Sequence, residues 1–257
     1  MNIDIFIPAR LDSKRLPKKH LEKINGFSLI EILVNRLNSL KNIRNTIICI
    51  TDEKSDDELA KFLEEKNIKY FRGNKKNILK RFLDASKKFG TDIILDIEGD
   101  KIYTDPEFVK IVSDEIIDGE YDFIIGNDDE NVFNPNSHFV HGVIPTAIRV
   151  SCLEKIFNEI NNQNTETGYK EIFIKNPQVK KKFILISDIK QIPDILRLTI
   201  DYPEDLIFAK KMFKKLDKDF SYLDILEIVR QNPEFLDIIK EINKKWIENY
   251  NKVSKYL

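Results

Sequence analysis

The chain lacks most of the features that assign a protein quickly. It has two cysteines in 257 residues, Cys49 and Cys152, both in apolar surroundings and without CxxC spacing. A disulfide framework and a thiolate metal site are thereby excluded, and the pair reads as reduced core thiols of a cytoplasmic protein. No apolar run approaches the ~18 residues of a membrane span, and no cationic, apolar, small-residue leader is present. The expectation is a soluble, intracellular protein with no membrane partner. Net charge is nearly absent: 42 Lys+Arg against 43 Asp+Glu give -1, although 33% of residues are charged. Basic segments are therefore local, and nucleic acid is not an expected partner. The G-x-S-x-G, H-E-x-x-H, P-loop and G-x-G-x-x-G signatures are all missing, so nothing argues for the mechanisms they carry.

What is present is a 42% hydrophobic content, ample for a core, laid out as short apolar runs alternating with amphipathic stretches. That is the α/β pattern. Strands are expected at Ile3 to Ile7, Thr46 to Ile50, Lys69 to Phe71, Ile93 to Ile97, Asp122 to Ile125, Val143 to Val150, Phe183 to Ile186 and Leu196 to Ile200. Several are too uniformly apolar to be half-exposed, which implies a sheet covered on both faces. Ser28 with Glu31 and Ser55 with Glu58 read as capping boxes, Asn77 to Phe89 as a helix closed by Gly90, and Asp105-Pro106 as another helix start. From Asp217 the chain turns Lys- and Glu-rich without strand signals. The economical division is an α/β domain at 1–216 with a helical appendage at 217–257.

The opening stretch "NIDIFIPARLDSKRLPKKHL" sets a basic segment directly behind an apolar strand that Pro8 ends. Loops at the carboxyl ends of such strands are where open α/β sheets bind ligands. Arg10, Arg15 and Lys19 are spaced irregularly around Ser13 and Pro17, so a turn and not a helical stripe must present them. A turn bearing Arg forks, a Lys point charge and a hydroxyl suits a polyphosphate. The plainer alternative is a solvated basic loop, against which stand Leu11, Leu16 and Leu21.

"IPARLDSKRLPKKHL" resembles the amino-terminal signature of the CMP-sugar-forming cytidylyltransferases, roughly I-x-A-R-x-x-S-x-R-L-P-x-K-x-L. That family includes the 3-deoxy-manno-octulosonate and acylneuraminate enzymes and the SpsF-like spore-coat polysaccharide type. "FRGNKKNILKRFLDASKKFGTDIILDIEGD" and "LRLTIDYPEDLIFAKKMF" are similar to its later segments, so the resemblance spans about residues 3 to 216. It implies a Rossmann-like nucleotide-diphospho-sugar transferase fold, with Ala9, Arg10, Ser13, Arg15 and Lys19 around the triphosphate of CTP. Lys18 departs from the pattern, since members commonly carry Gly there. The segment Phe71 to Asn74, with Arg72 and Gly73, and Arg81 beyond it, is expected to meet the base.

Independently of family, "LDIEGDKIYTDP" ends an apolar strand in Asp96, Glu98 and Asp100, with Gly99 freeing the backbone. Alternate residues share a face, so the three carboxylates are candidates to point together. Carboxylates beside bound phosphate suggest Mg2+, which takes one or two of them and completes its shell with phosphate oxygens and water. The resemblance selects Asp100 and Asp201 as ligands; helix capping is the alternative for Asp201. The implied chemistry is nucleotidyl transfer, in which Arg10, Arg15, Lys19 and Asp100 position and neutralise phosphates while pyrophosphate departs from CTP. His141, in a stretch resembling H-x-G-I-Y-A-Y, and Tyr169, Lys170 and Glu171, in one resembling E-H-V-T-P-Y, are candidates for an acidic sugar acceptor. Lys170 replaces the family's His. A place in surface polysaccharide, lipopolysaccharide or capsule synthesis follows from the resemblance. Two other readings stay open: a metal-dependent glycosyltransferase with its D-x-D in Asp96, Glu98 and Asp100, and a silent nucleotide- or sugar-binding relative. A homodimer is expected through the apolar tail or through Val132 to Val150.

Overall fold

Alternation along the first strand sets the architecture. In β1 (Ile3–Pro8), Ile3, Ile5 and Ile7 enter one hydrophobic cluster and Phe6 a second one on the opposite face. A computed structural model describes residues 1–126, 141–160, 164–166, 168–184, 193 and 195–254, with side chains through Asn249. The same division recurs in β4 (Asn45–Thr51), where Ile48 and Ile50 face the first cluster and Ile47 and Cys49 the second. Side chains two residues apart share a face, so a sheet with no polar stripe must be covered twice.

Among the described residues the main sheet has seven strands. Its order is β5 (Tyr70–Gly73), β4, β1, β6 (Ile93–Asp96), β8 (Thr146–Arg149), β7 (Phe123–Gly126) and β9 (Lys181–Ile184). Only β8 runs against the others. A separate short hairpin is formed by β2 (Lys23–Ile24) and β3 (Phe27–Ser28). The first cluster is covered by α1 (Leu29–Leu37), α2 (Asp57–Glu65), α4 (Pro106–Asp118), α7 (Pro203–Met212), α8 (Tyr222–Gln231) and α9 (Phe235–Ser254). The second is covered by α3 (Ile78–Phe89), α5 (Val150–Glu159) and α6 (Tyr169–Lys175). The expected α/β class with a two-sided sheet is what forms.

Local signals explain most boundaries, and three expectations need correction. Ser28 accepts from the Glu31 N–H while Glu31 accepts from the Ser28 N–H, a complete capping box. Asn77 caps α3, Gly90 closes it at φ 64°, and Asp105 caps α4. Ser55, however, lies inside a 3-10 turn (Lys54–Asp56), and Asp56 precedes α2. The Asp56 carboxylate instead accepts from Thr51 and from the Leu11 N–H, tying the end of β4 to the loop behind β1. Leu196 to Ile200 joins no ladder. Its apolar residues are buried, but Leu198 and Ile200 donate to the carbonyls of His141 (2.9 Å) and Asp100 (3.1 Å), so the run lies across loops instead of extending the sheet. Strand β8 is shorter than Val143 to Val150 because Pro145 lacks an N–H and Val150 opens α5. Of the expected strand Phe183 to Ile186, residues 185 and 186 lie outside the described residues, as do residues 132–140 of the expected dimer surface.

The tail does not stand bare. Phe220, Tyr222, Ile225, Val229, Phe235, Ile239 and Ile242 are buried in the first cluster, and α9 packs on α7. Each such side chain contributes roughly 1.5–3 kcal/mol by leaving water.

Candidate active site

Strand order reverses around β1: β4 and β5 lie on one side of it, and β6 on the other. The loop behind β1 and the loop behind β6 therefore leave the sheet side by side, at the crevice where such folds bind ligands. A cavity of about 370 Å³ opens there, within the usual size of small-molecule sites.

The basic loop is a built structure. Leu11 and Leu16 are buried in the first cluster and Leu21 packs against it. Lys18 donates its N–H to the Leu11 carbonyl and takes φ 54°, ψ 25°. That is the left-handed region glycine favours, which gives a physical meaning to the Gly expected there and a strain to the Lys. Of the loop's expected phosphate residues, Ala9, Arg10, Arg15 and Lys19 line the cavity, and Ser13 does not. Ser13 instead stands 3.4 Å from the Leu16 N–H.

Two carboxylates face these cations. The Lys19 ammonium lies 2.6 Å from Asp100 Oδ2 and 3.1 Å from Asp201 Oδ1, and Arg15 donates to Asp201 Oδ1 at 2.7 Å. Burial opposes the charge on Lys19, but the two carboxylates outweigh it and push its pKa well above the usual lysine value. Burial likewise works to raise Asp201, and Lys19, Arg15 and Arg197 reverse the effect, bringing it down to about 2. Asp100 moves up, through burial first and then through its neighbours Asp201 and Glu98, against Lys19. The Asp201 carboxylate is not a helix cap: Asp205 accepts from the Asp201 and Tyr202 N–H groups at the start of α7.

Asp96, Glu98 and Asp100 do not point together, because the strand ends at Asp96 and the alternation ends with it. Asp96, fully buried, accepts from the Tyr169 hydroxyl and pairs with Lys170 at 3.0 Å. Lys170 also reaches Glu98 at 2.6 Å, and Lys101 lies 3.2 Å from Glu98. Burial would raise Glu98, but Lys101 and Lys170 hold it well below the usual carboxylate range. Gly99 is needed for close approach: a Cβ there would stand 2.8 Å from the His20 ring. Gly142, at φ 113°, lets the His141 turn pass the 195–200 segment, where a Cβ would stand 2.1 Å from the Leu198 carbonyl oxygen.

His141, Tyr169, Lys170 and Glu171 all line the cavity, as do Arg81, Asp100 and Asp201. Arg72 and Gly73 do not. The Arg72 guanidinium is spent on the Thr51 and Glu53 carbonyls and on Asp57, and Gly73 sits under the Arg81 stem. Burial drives both His20 and His141 down to about 3, so both imidazoles are neutral. Sequence reasoning missed Glu166, which pairs with Arg10 and Arg81, both at 3.2 Å, across the mouth. It also missed Lys101, Thr199, Trp246 and Asn249. Glu166 stands three residues before Tyr169 in "TETGYKE", a nearby signal; nothing around Trp246 marks it as more than core.

Residues 5–212 match the sequence profile of the family described as Cytidylyltransferase. Among known proteins, the chain is similar to the spore coat polysaccharide biosynthesis protein SpsF of Bacillus subtilis, 26% identical over 249 residues that cover 91% of this chain and 97% of SpsF. Among solved structures, it is similar to a cytidylyltransferase from Leptospira borgpetersenii, with TM-score 0.79 and 25% identity, covering 92% of this chain and 97% of that one. In fold alone it is similar to a CMP:2-keto-3-deoxy-manno-octonic acid synthetase complexed with CTP, with TM-score 0.61 and 15% identity over 83% of this chain and 99% of that one. A profile that runs from β1 into α7, through every loop that walls the cavity at the switch point, means that this chain belongs to the cytidylyltransferase family and is a nucleotidyltransferase.

Proposed function

We propose that the chain transfers the cytidylyl group of CTP, with Mg2+, to an acidic sugar or a related acceptor, forming its CMP conjugate for a surface polysaccharide. The observation that carries this reading is the convergence of Arg15 and Lys19 on Asp100 and Asp201 in the cavity that Arg10 also lines.

The donor set fits a divalent ion. Two carboxylates already share one cation, the Lys19 ammonium, and the buried Asp100 Oδ1 has no hydrogen-bond partner. Among the described residues no group of three or more His, Cys, Asp or Glu side chains gathers as an all-protein cage. A carboxylate pair completed by substrate phosphate is the mode Mg2+ favours. Bound there, Mg2+ would neutralise phosphate charge as it accumulates. Arg10, Arg15 and Lys19 would exchange carboxylate for phosphate oxygens and hold the triphosphate in line with the acceptor. The acceptor oxygen attacks the α-phosphorus, the bond to the bridging oxygen of the β-phosphate breaks, and pyrophosphate leaves with that electron pair. Tyr169 and Lys170 hold the buried Asp96 behind the cavity and Glu98 in its wall, which His141 and Glu171 also line, and these would form the acceptor side.

The test is incubation of the chain and Mg2+ with each of the four nucleoside triphosphates and a panel of keto-acid sugars, other sugar acids, phosphorylated alcohols and phosphonates. Pyrophosphate formed with CTP and one acceptor class is the expected result. Release of a nucleoside diphosphate from a nucleotide sugar, without pyrophosphate chemistry, would replace this reading with glycosyl transfer.

A further inference from the structure

The C-terminal helix reaches the reaction centre. Trp246, 5% exposed on α9, donates its indole N–H to Asp201 Oδ2 at 3.0 Å. The other oxygen, Oδ1, takes Arg15 and Lys19. The carboxylate is therefore held at both oxygens, Oδ1 by Arg15 and Lys19 and Oδ2 by the indole N–H, with the Arg197 guanidinium 3.7 Å from Oδ2. The ring is itself clamped: the Arg197 guanidinium lies 5.0 Å from it and the His141 ring 5.2 Å away. Arg197 is in turn held by Asp205 at 2.7 Å and Thr199 at 2.5 Å. Asn249, three residues further along the same helix, donates to the Tyr202 hydroxyl at 2.8 Å, and the Tyr202 ring lies 5.1 Å from Arg15. Trp246 and Asn249 both line the cavity.

We propose that Trp246 is a positioning residue for the Asp201 carboxylate, and that the C-terminal helix is thereby part of the active site and not only a cover for the sheet. The proposal rests on the reading of Asp201 as a metal- and nucleotide-facing carboxylate. A residue needed only to fill the core gains nothing from an indole N–H, which must find an acceptor when buried. Here the acceptor is the carboxylate that also binds Arg15 and Lys19. Partners that orient a metal-binding carboxylate act through it, and removing them typically weakens metal affinity or activity by 10–100-fold.

Trp246 is the only tryptophan of the chain, so its emission reports on this place alone. The experiment uses the full chain and no acceptor: calorimetric CTP binding in Mg2+ and in EDTA, for wild type and for Trp246→Phe, beside tryptophan emission of the wild type titrated with CTP and Mg2+. The expected results are an emission change that saturates with calorimetric binding, and a Trp246→Phe chain whose gain in CTP affinity from EDTA to Mg2+ is smaller than that of wild type by about 10-fold or more. A Trp246→Phe chain that keeps the whole Mg2+ gain, or a wild-type emission unmoved while calorimetry registers Mg2+-dependent binding, overturns the proposal and leaves the cytidylyltransferase reading intact. A wild type with no CTP binding, or equal binding in Mg2+ and EDTA, removes the metal reading of Asp201 and the proposal with it. The emission arm needs no variant, so a Trp246→Phe chain that fails to fold still leaves a decision.

Discussion

The cavity has two carboxylate clusters of similar composition and different construction. In the first, Asp100 and Asp201 share Lys19 and Arg15 adds to Asp201, both cations coming from the segment behind β1, and Arg15 is 41% exposed at its side chain. In the second, Asp96 and Glu98 share Lys170 from the first turn of α6, Lys101 from the buried turn behind β6 adds to Glu98, and the Tyr169 hydroxyl closes the set on Asp96. The first cluster takes its cations from the loop behind β1, and one of them, Arg15, reaches solvent. The second has its cations on packed elements. Under the proposed function the same ion-pair chemistry would serve exchange with phosphate in the first cluster and support in the second, according to what the cations are mounted on.

Removing a cation from each cluster is the strongest way to break this comparison. Lys170→Met leaves the buried Asp96 without its cation and Glu98 with Lys101 alone, and breaking a buried pair by removing one member costs about 3–5 kcal/mol. Urea denaturation of the folded chain is expected to register that loss; a loss under about 1 kcal/mol would mean that the second cluster does not support the fold. Arg15→Ala removes a half-exposed cation from the first cluster, so stability should barely move while CTP affinity falls by about 1.5–3 kcal/mol, read by calorimetry. Unchanged affinity would take Arg15 out of the phosphate site. Lys19→Ala is a poorer test, since Lys19 is 8% exposed and its loss leaves Asp100 without its cation, with Arg15 still on Asp201.

Each cluster also has one buried, neutral histidine, which allows a comparison by pH. His20 sits beside Lys19, and His141 feels Lys101 and Lys170, while burial is the main cause that brings both down to about 3 from 6.5. The unfolded chain therefore binds more protons than the folded one between those values. Stability is full above pH 6.5 and falls as pH drops toward 3. Between pH 7 and pH 5 each histidine should remove about 2 kcal/mol. Denaturation midpoints at the two pH values, for wild type, His20→Gln and His141→Gln, check this; equal pH slopes in all three would show that neither histidine is held neutral. The smallest effect concerns the loop under the first cluster. Lys18→Gly relieves a left-handed residue worth about 1 kcal/mol of strain and gives up an exposed ion pair with Glu58 worth little. A net gain of about 0.5 kcal/mol in thermal unfolding is expected; a loss would mean that the Lys18–Glu58 pair orders the loop.

The sequence by itself determined the two-sided sheet, because Ile3, Ile5 and Ile7 alternate with Phe6 and no polar face is left for water. It also determined the cationic loop, whose residues are contiguous and whose buried leucines are spaced within it, and the caps at Ser28, Asn77 and Asp105, which act over two or three residues. These are local effects, and local sequence carries them. The tertiary structure alone decided that Arg72 turns away from the cavity, that Asp56 ties β4 to the loop instead of yielding to a capping box at Ser55, and that Leu196 to Ile200 lies across loops. It alone brought Asp201 to Lys19, 182 residues away, and Trp246 onto Asp201. A lone tryptophan on an amphipathic helix looks the same in sequence whether its N–H meets a core carbonyl or a carboxylate that lines the cavity, and only the packing of α9 against α7 selects between them.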